Sequence, residues 1–104
     1  MFERCKIPKK HGVRKVEVYG ADWCSDTILV KKFLEKHNIS YKWIDVDKKD
    51  KIGKNGFKYV LLVNKEKLGI AKKKIPVVRI EVDNYYWVFI EPTEKDLSRV
   101  FLND

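Results

Sequence analysis

Cys24 stands in the segment Ala21-Asp22-Trp23-Cys24-Ser25-Asp26-Thr27, between a strand-like run, Lys15 to Tyr19, and a helix-like run, Ser25 to His37. A cysteine at a strand-to-helix turn has backbone N–H groups aimed at its sulfur, and they favour the thiolate over the thiol. The chemistry in view is therefore nucleophilic sulfur chemistry, above all disulfide exchange. It needs a thiolate with access to a partner sulfur. The N–H groups of Asp26 and Thr27, and the Thr27 hydroxyl, are the candidate stabilisers of that thiolate. Asp26 works against it by like charge unless it turns to solvent. Each residue also has a plainer reading: Cys24 as a small apolar core residue, and Thr27 as a first-turn residue bonding only to backbone. Trp23 is either an apolar wall beside the thiol or a packing residue, and Asp22 is a turn former.

The elements that must position these residues follow from hydrophobic period. Val16 and Val18 alternate in a first strand that Gly20 ends. Ile28, Leu29, Val30, Phe33 and Leu34 form one stripe opposite Lys31, Lys32, Glu35 and Lys36, an amphipathic helix with Asn38 at the expected left-handed cap and His37 suited to the helix end. Tyr41 to Val46 reads as a second strand, parallel to the first because a helical crossover joins them. Asp47 to Asn55 reads as a polar connection, with Gly53 to Lys58 as a turn that lacks the full phosphate-loop pattern. Phe57 to Lys67 reads as a helix, although Val60 to Val63 alone would also suit a buried strand. After a basic loop from Gly69, Ile75-Pro76 opens a strand over Val77 to Val82, and Asp83-Asn84 turns it into an antiparallel partner, Tyr85 to Ile90. Thr93 and Asp96 mark the start of a last helix with Leu97, Val100 and Phe101 on one face.

The order β-α-β-α-β-β-α predicts an α/β fold, a four-stranded mixed sheet flanked by helices on both faces, with Cys24 at the carboxyl end of a central strand. Residues 1–14, with Pro8 and Gly12, read as a basic N-terminal arm, and residues 15–104 as a single domain. Two cysteines build no disulfide scaffold, the N-terminus lacks a signal-peptide core, and no run approaches a membrane span. A reducing, cytoplasmic setting and no membrane partner are expected. The net charge of +8 comes mainly from lysines along the whole chain. Dispersed lysine with little arginine predicts a solubilising surface, and nucleic acid is not the expected partner. Cys5, His11, Cys24 and His37 lack the paired spacings of a zinc site, so no metal is expected.

Val16 to Cys24, followed by the helix and by Tyr41-Lys42-Trp43-Ile44-Asp45-Val46, resembles a bacterial or archaeal glutaredoxin-like protein of the thioredoxin fold. Lys74-Ile75-Pro76-Val77-Val78 is similar to that family's cis-proline segment. The resemblance covers about residue 15 to the C-terminus. It implies a thioredoxin/glutaredoxin fold and a thiol-disulfide oxidoreductase with Cys24 as nucleophile. It implies further that Trp23, Lys74, Ile75 and Pro76 bind substrate, the residue before the proline offering its backbone to an extended chain. Lys73 and Lys74 would attract an acidic group there, if they are not simply solvated.

Three departures qualify the resemblance. Thr27 stands where dithiol members carry a second cysteine, so the arrangement is monothiol and an outside thiol must resolve the mixed disulfide; a bridge to Cys5 is not the expected route. Ala21 stands three before Cys24 where a glutathione-binding lysine is usual. The segment Ile90-Glu91-Pro92-Thr93 has no glycine pair, and Glu91 and Glu94 oppose an anion at the last helix. No cofactor is therefore required, and glutathione is one possible thiol without its usual contacts. The same gaps count against an iron–sulfur cluster shared between chains. The expected partners are a disulfide-containing protein or a low-molecular-weight thiol, and the expected state is a monomer. The rival reading is a thioredoxin-fold binding module, catalytically silent, that uses its groove or basic surface.

Overall fold

The structure, a computed structural model, describes residues 15–70, 72–82 and 85–102. Seven elements follow in the expected order: β1 (Lys15–Gly20), α1 (Ser25–Lys36), β2 (Lys42–Asp45), α2 (Lys51–Leu68), β3 (Val77–Val82), β4 (Tyr85–Ile90) and α3 (Glu94–Phe101). The sheet order is β2-β1-β3-β4. β1 runs parallel to β2 and antiparallel to β3, and β4 pairs antiparallel with β3. The arm over residues 1–14, with Cys5, and the Asp83-Asn84 turn lie outside the described residues.

Alternation along the strands sends successive side chains to opposite faces. Val16 and Val18 of β1, with Val78, Ile80 and Val82 of β3, meet Val30, Phe33 and Leu34 of α1 and Leu97 and Val100 of α3. On the other face, Ala21, Val46, Ile75 and Val77 meet Val60 and Val63 of α2. Removing each large side chain from water contributes about 1.5–3 kcal/mol before conformational entropy is subtracted. β1 lies inside the sheet because both its edges are paired, so the turn that follows it opens at the centre of one sheet end.

Local signals close the helices where the sequence expects. His37 caps α1 and donates its N–H to Phe33 and Glu35 carbonyls, and Asn38 takes the left-handed conformation at φ 57°. Thr93 and Asp96 form a reciprocal capping box at α3, a device worth about 1 kcal/mol.

α2 departs from expectation. Lys51 to Lys58, read as connection and turn, is its first half, started by Asp50, whose carboxylate accepts from Gly53 N at 2.8 Å. Gly53 and Gly56 mark close packing instead of a turn. A Cβ at residue 53 would collide with the Lys48 carbonyl oxygen, and one at residue 56 would come within 2.6 Å of Ile44 Cγ2. No helix among the described residues is long and apolar enough to cross a membrane.

Candidate functional site

β1 delivers the chain to Gly20, whose carbonyl accepts from Val46 N at 3.0 Å, and a tight turn follows in which Cys24 N donates to the Ala21 carbonyl at 3.1 Å. Cys24 is the N-cap of α1, extended at φ −86° and ψ 119°. Its carbonyl begins the helix ladder by accepting from Ile28 N at 3.0 Å. The thiol is partly buried against the α2-side cluster. Its Sγ donates to the Ile75 carbonyl at 3.9 Å. Ile75–Pro76 is a cis peptide. Thus Cys24 and the Ile75-Pro76 segment, far apart in sequence, meet at one end of the sheet.

Asp26 is exposed, which hydrates its charge, while Thr27 is fully buried. The two proposed roles of Thr27 separate here: its Oγ1 accepts from Ala21 N at 3.5 Å. A Cβ on Gly20 would lie 2.5 Å from that same oxygen, so the glycine is what lets Thr27 seat against β1. Cys24 makes no side-chain capping bond. Neither Thr27 Oγ1 nor the N–H groups of Asp26 and Thr27 hydrogen-bond its sulfur in this arrangement.

Trp23 is 68% exposed. Its Nε1 donates to Asp47 Oδ2 at 2.5 Å, and Lys73 Nζ donates to Asp47 Oδ1 at 2.7 Å. The Lys73 ammonium lies 5.6 Å from the centroids of both the Trp23 and Phe57 rings. The hydrogen bond from Lys73, then that from Trp23, hold the Asp47 carboxyl below the ordinary aspartate range. A carboxylate thus ties the indole and an ammonium together at the rim of the thiol. Lys74 is placed differently: its Nζ lies 4.0 Å from Glu91 Oε1.

The segment before β3 is held from below. Asn64 of α2, fully buried, donates Nδ2 to the Val60 carbonyl at 2.8 Å and to the Lys74 carbonyl at 3.2 Å. Pro76, also fully buried, accepts from Glu91 N at 2.7 Å. At the α3 start, Thr93 N donates to Asp96 Oδ2 and Asp96 N to Thr93 Oγ1, so both N–H groups have partners within the chain.

Sequence reasoning missed Asp47 and Asn64. Asp47 had a usable signal, because β2 runs parallel to β1 and the residues just past both strands must share one end of the sheet. Asn64 had a weaker one, a lone polar residue after Val60-Leu61-Leu62-Val63 on a helix. Tyr19, read as core, is half-buried, with its ring 4.8 Å from that of Tyr59 and its hydroxyl donating to Glu17 at 3.0 Å.

No curated protein matches this sequence. A solved structure, a glutaredoxin from Archaeoglobus fulgidus, is similar in fold, with a TM-score of 0.55 at 18% identity, covering 91% of this chain and 95% of that one. A family model described as Glutaredoxin matches residues 16–83, from the first strand through the cysteine turn and the cis-proline segment. The arrangement of β1, Cys24 and Ile75-Pro76 falls inside that match, and the chain belongs to the glutaredoxin family, a family of thiol oxidoreductases.

Proposed function

We propose that this protein exchanges thiols and disulfides through Cys24 alone. The Cys24 thiolate attacks one sulfur of a disulfide; a new S–S bond forms to Cys24 as the other sulfur leaves as a thiolate. An external thiolate then attacks the mixed disulfide, takes the substrate sulfur into a new disulfide, and releases Cys24 as the thiolate. No second cysteine of the motif is needed, since Thr27 holds that position.

The observation that carries this reading is the approach of Cys24 Sγ to the Ile75 carbonyl at 3.9 Å. A substrate chain running beside Lys74, Ile75 and Pro76 would bring its sulfur to Cys24 on an extended-backbone ledge. Trp23, tied to Asp47, is the wall beside the thiol. The N–H groups of Asp26 and Thr27 belong to the first turn of α1, where helix geometry provides no acceptor, and they are the donors available to the sulfur once its proton has gone. Glutathione has no dedicated cradle in this reading, because the Thr93 helix start is self-capped and flanked by Glu91 and Glu94. It serves as a small thiol among others, in a reducing compartment such as the cytoplasm.

Mass spectrometry after exposure to glutathione disulfide tests the proposal. The expected result is one glutathione adduct on Cys24, reversed by excess thiol and absent from Cys24→Ser. Adduct on Cys5 alone, or disulfide reduction that survives Cys24→Ser, would overturn it.

One observation favours a silent binding module instead: Cys24 makes no side-chain capping bond, so its sulfur accepts no helix N–H. Alkylation by iodoacetamide at neutral pH separates the two. A Cys24 that reacts more slowly than a free cysteine peptide would support binding alone.

A further inference from the structure

We propose that the outer ridge of α2 is a docking surface for an acidic protein that presents its disulfide to Cys24; this rests on the exchange reading above and names its partner class. Lys51, Lys54, Lys58 and Lys65 are all exposed. At 3.6 residues per turn these positions fall within an arc of about 60° and span about 21 Å along the helix. The arc lies opposite the face that buries Gly53, Gly56, Val60, Val63 and Asn64. Four lysines that are separate in sequence are therefore collected on one line by the helix.

Three of the four charges stand where the helix itself does not want them; Lys65, in the last turn, suits the dipole. Lys51 and Lys54 occupy the first turn, which contains no acidic residue and carries the positive end of the helix dipole. Lys51 with Lys54, and Lys54 with Lys58, are like charges at i,i+3 and i,i+4, which oppose helix formation. A merely solubilising face interleaves both signs. Among the described residues no carboxylate lies within 4.0 Å of any of the four ammonium groups; Glu66 is the one acid on α2, and Asp50 is engaged in capping Gly53. The ridge is complementary to an external anion.

Its place in the fold selects the anion. Lys73 lies equally close to Phe57, which sits between Lys54 and Lys58 in sequence, and to Trp23, which adjoins Cys24. Phe57 and Lys73, whose own charge is paired with Asp47, thus join α2 to the rim of the thiol. A partner held there gains only if it carries a sulfur for Cys24, as a protein disulfide does. The ridge contains no arginine to grip phosphates and no aromatic ring on its crest for base stacking, so a nucleic acid is the poorer fit.

The experiment uses the full chain and two peptide–glutathione mixed disulfides of equal length, one with glutamates at spacings of three, four and seven, the other with glutamines there. The rate of transfer to Cys24 is measured at low salt and at high salt. At low salt the acidic peptide is expected to react at least about tenfold faster, a typical gain from charge steering. The acidic-to-neutral ratio should fall toward one at high salt. It should fall likewise in the triple variant Lys54→Gln, Lys58→Gln, Lys65→Gln at low salt.

Fluorescence anisotropy of a labelled, cysteine-free acidic peptide gives a readout that does not depend on exchange, and its affinity should drop in the triple variant. Failure of both peptides to modify Cys24 would count against the exchange chemistry, while the anisotropy result would still decide the ridge. Equal rates and equal binding for the acidic and neutral peptides would overturn the proposal. So would an undiminished preference in the triple variant, or salt-dependent binding of an RNA oligonucleotide with no preference for the acidic peptide.

Discussion

The face of the sheet under α1 and α3 and the face under α2 are built from the same strands, yet they are assembled by different rules. Under α1 and α3 the interior is a run of aliphatic and aromatic side chains, Val16, Val18, Leu34, Ile80 and Leu97 among them, with ring and branched-chain packing throughout. Under α2 the apolar cluster is smaller and includes the partly buried Cys24. There the backbone approaches closely through Gly53 and Gly56, and Asn64 is buried to hold the Lys74 carbonyl. Glu17, almost fully buried on that side, lies 3.6 Å from Arg79 and accepts from Tyr19. Side-chain volume holds one face; backbone approach and placed polar bonds shape the other, where the thiol sits.

Substitutions on the two faces should separate chemistry from stability. The largest effect expected is Cys24→Ser, which removes all glutathione adduct from that position while shifting the urea midpoint by under about 1 kcal/mol of stability, as a near-isosteric change at a partly exposed site. A large loss of stability there would mean that the thiol is a packing residue first. Leu34→Ala, in the α1-side core, should do the reverse: about 2–5 kcal/mol lost in urea unfolding, with adduct still forming on the folded fraction.

Next in size are the α2 glycines. Alanine at either position introduces overpacking worth about 1–3 kcal/mol, set against a gain of about 1 kcal/mol in helix propensity. Gly53→Ala should be the costlier, because the obstructing atom is the backbone carbonyl oxygen of Lys48, which lies closer than the side-chain methyl of Ile44 that Gly56→Ala meets at 2.6 Å. Equal melting temperatures for the two variants would contradict the close-approach account.

The smallest effect concerns the rim. Asp47 has its carboxyl lowered by its bonds to Lys73 and Trp23. A depressed folded-state value means that the contribution to stability is present above the unfolded value, about 3.9, and is lost as pH falls through the lower folded value. The Trp23 fluorescence, isolated as wild type minus Trp23→Phe, should therefore change with a midpoint below that of an ordinary aspartate. Lys73→Met should move the midpoint upward, and Asp47→Asn should abolish the transition, with stability altered by under about 1 kcal/mol because the cluster is exposed. A midpoint unmoved by Lys73→Met would remove Lys73 from the cluster.

Much of the fold was legible because its signals are local. Val77–Val82 and Tyr85–Ile90 match the expected strands residue for residue, since each is a six-residue run rich in β-branched or aromatic side chains. The Thr93 and Asp96 capping box and the Asn38 cap also follow from nearest-neighbour chemistry. The first half of α2 was not legible. Gly53 and Gly56 carry a turn signature, and only the position of Lys48 and Ile44 against the helix explains them as clearances.

The same division holds for the site. The residues around Cys24 declare a helix start beside a strand end, and the proline after Ile75 declares an irregular strand entry; sequence alone therefore singled out these two segments. Tertiary structure decided what surrounds the thiol. It turned Thr27 to Ala21, joined Trp23 to Asp47 across 24 positions, and set Cys24 against Ile75 across 51. It also aligned Lys51, Lys54, Lys58 and Lys65 along one ridge of α2. Periodicity and capping are written in neighbouring residues, whereas a hydrogen bond between distant loops depends on how the sheet brings its strand ends together, and no single segment contains that geometry.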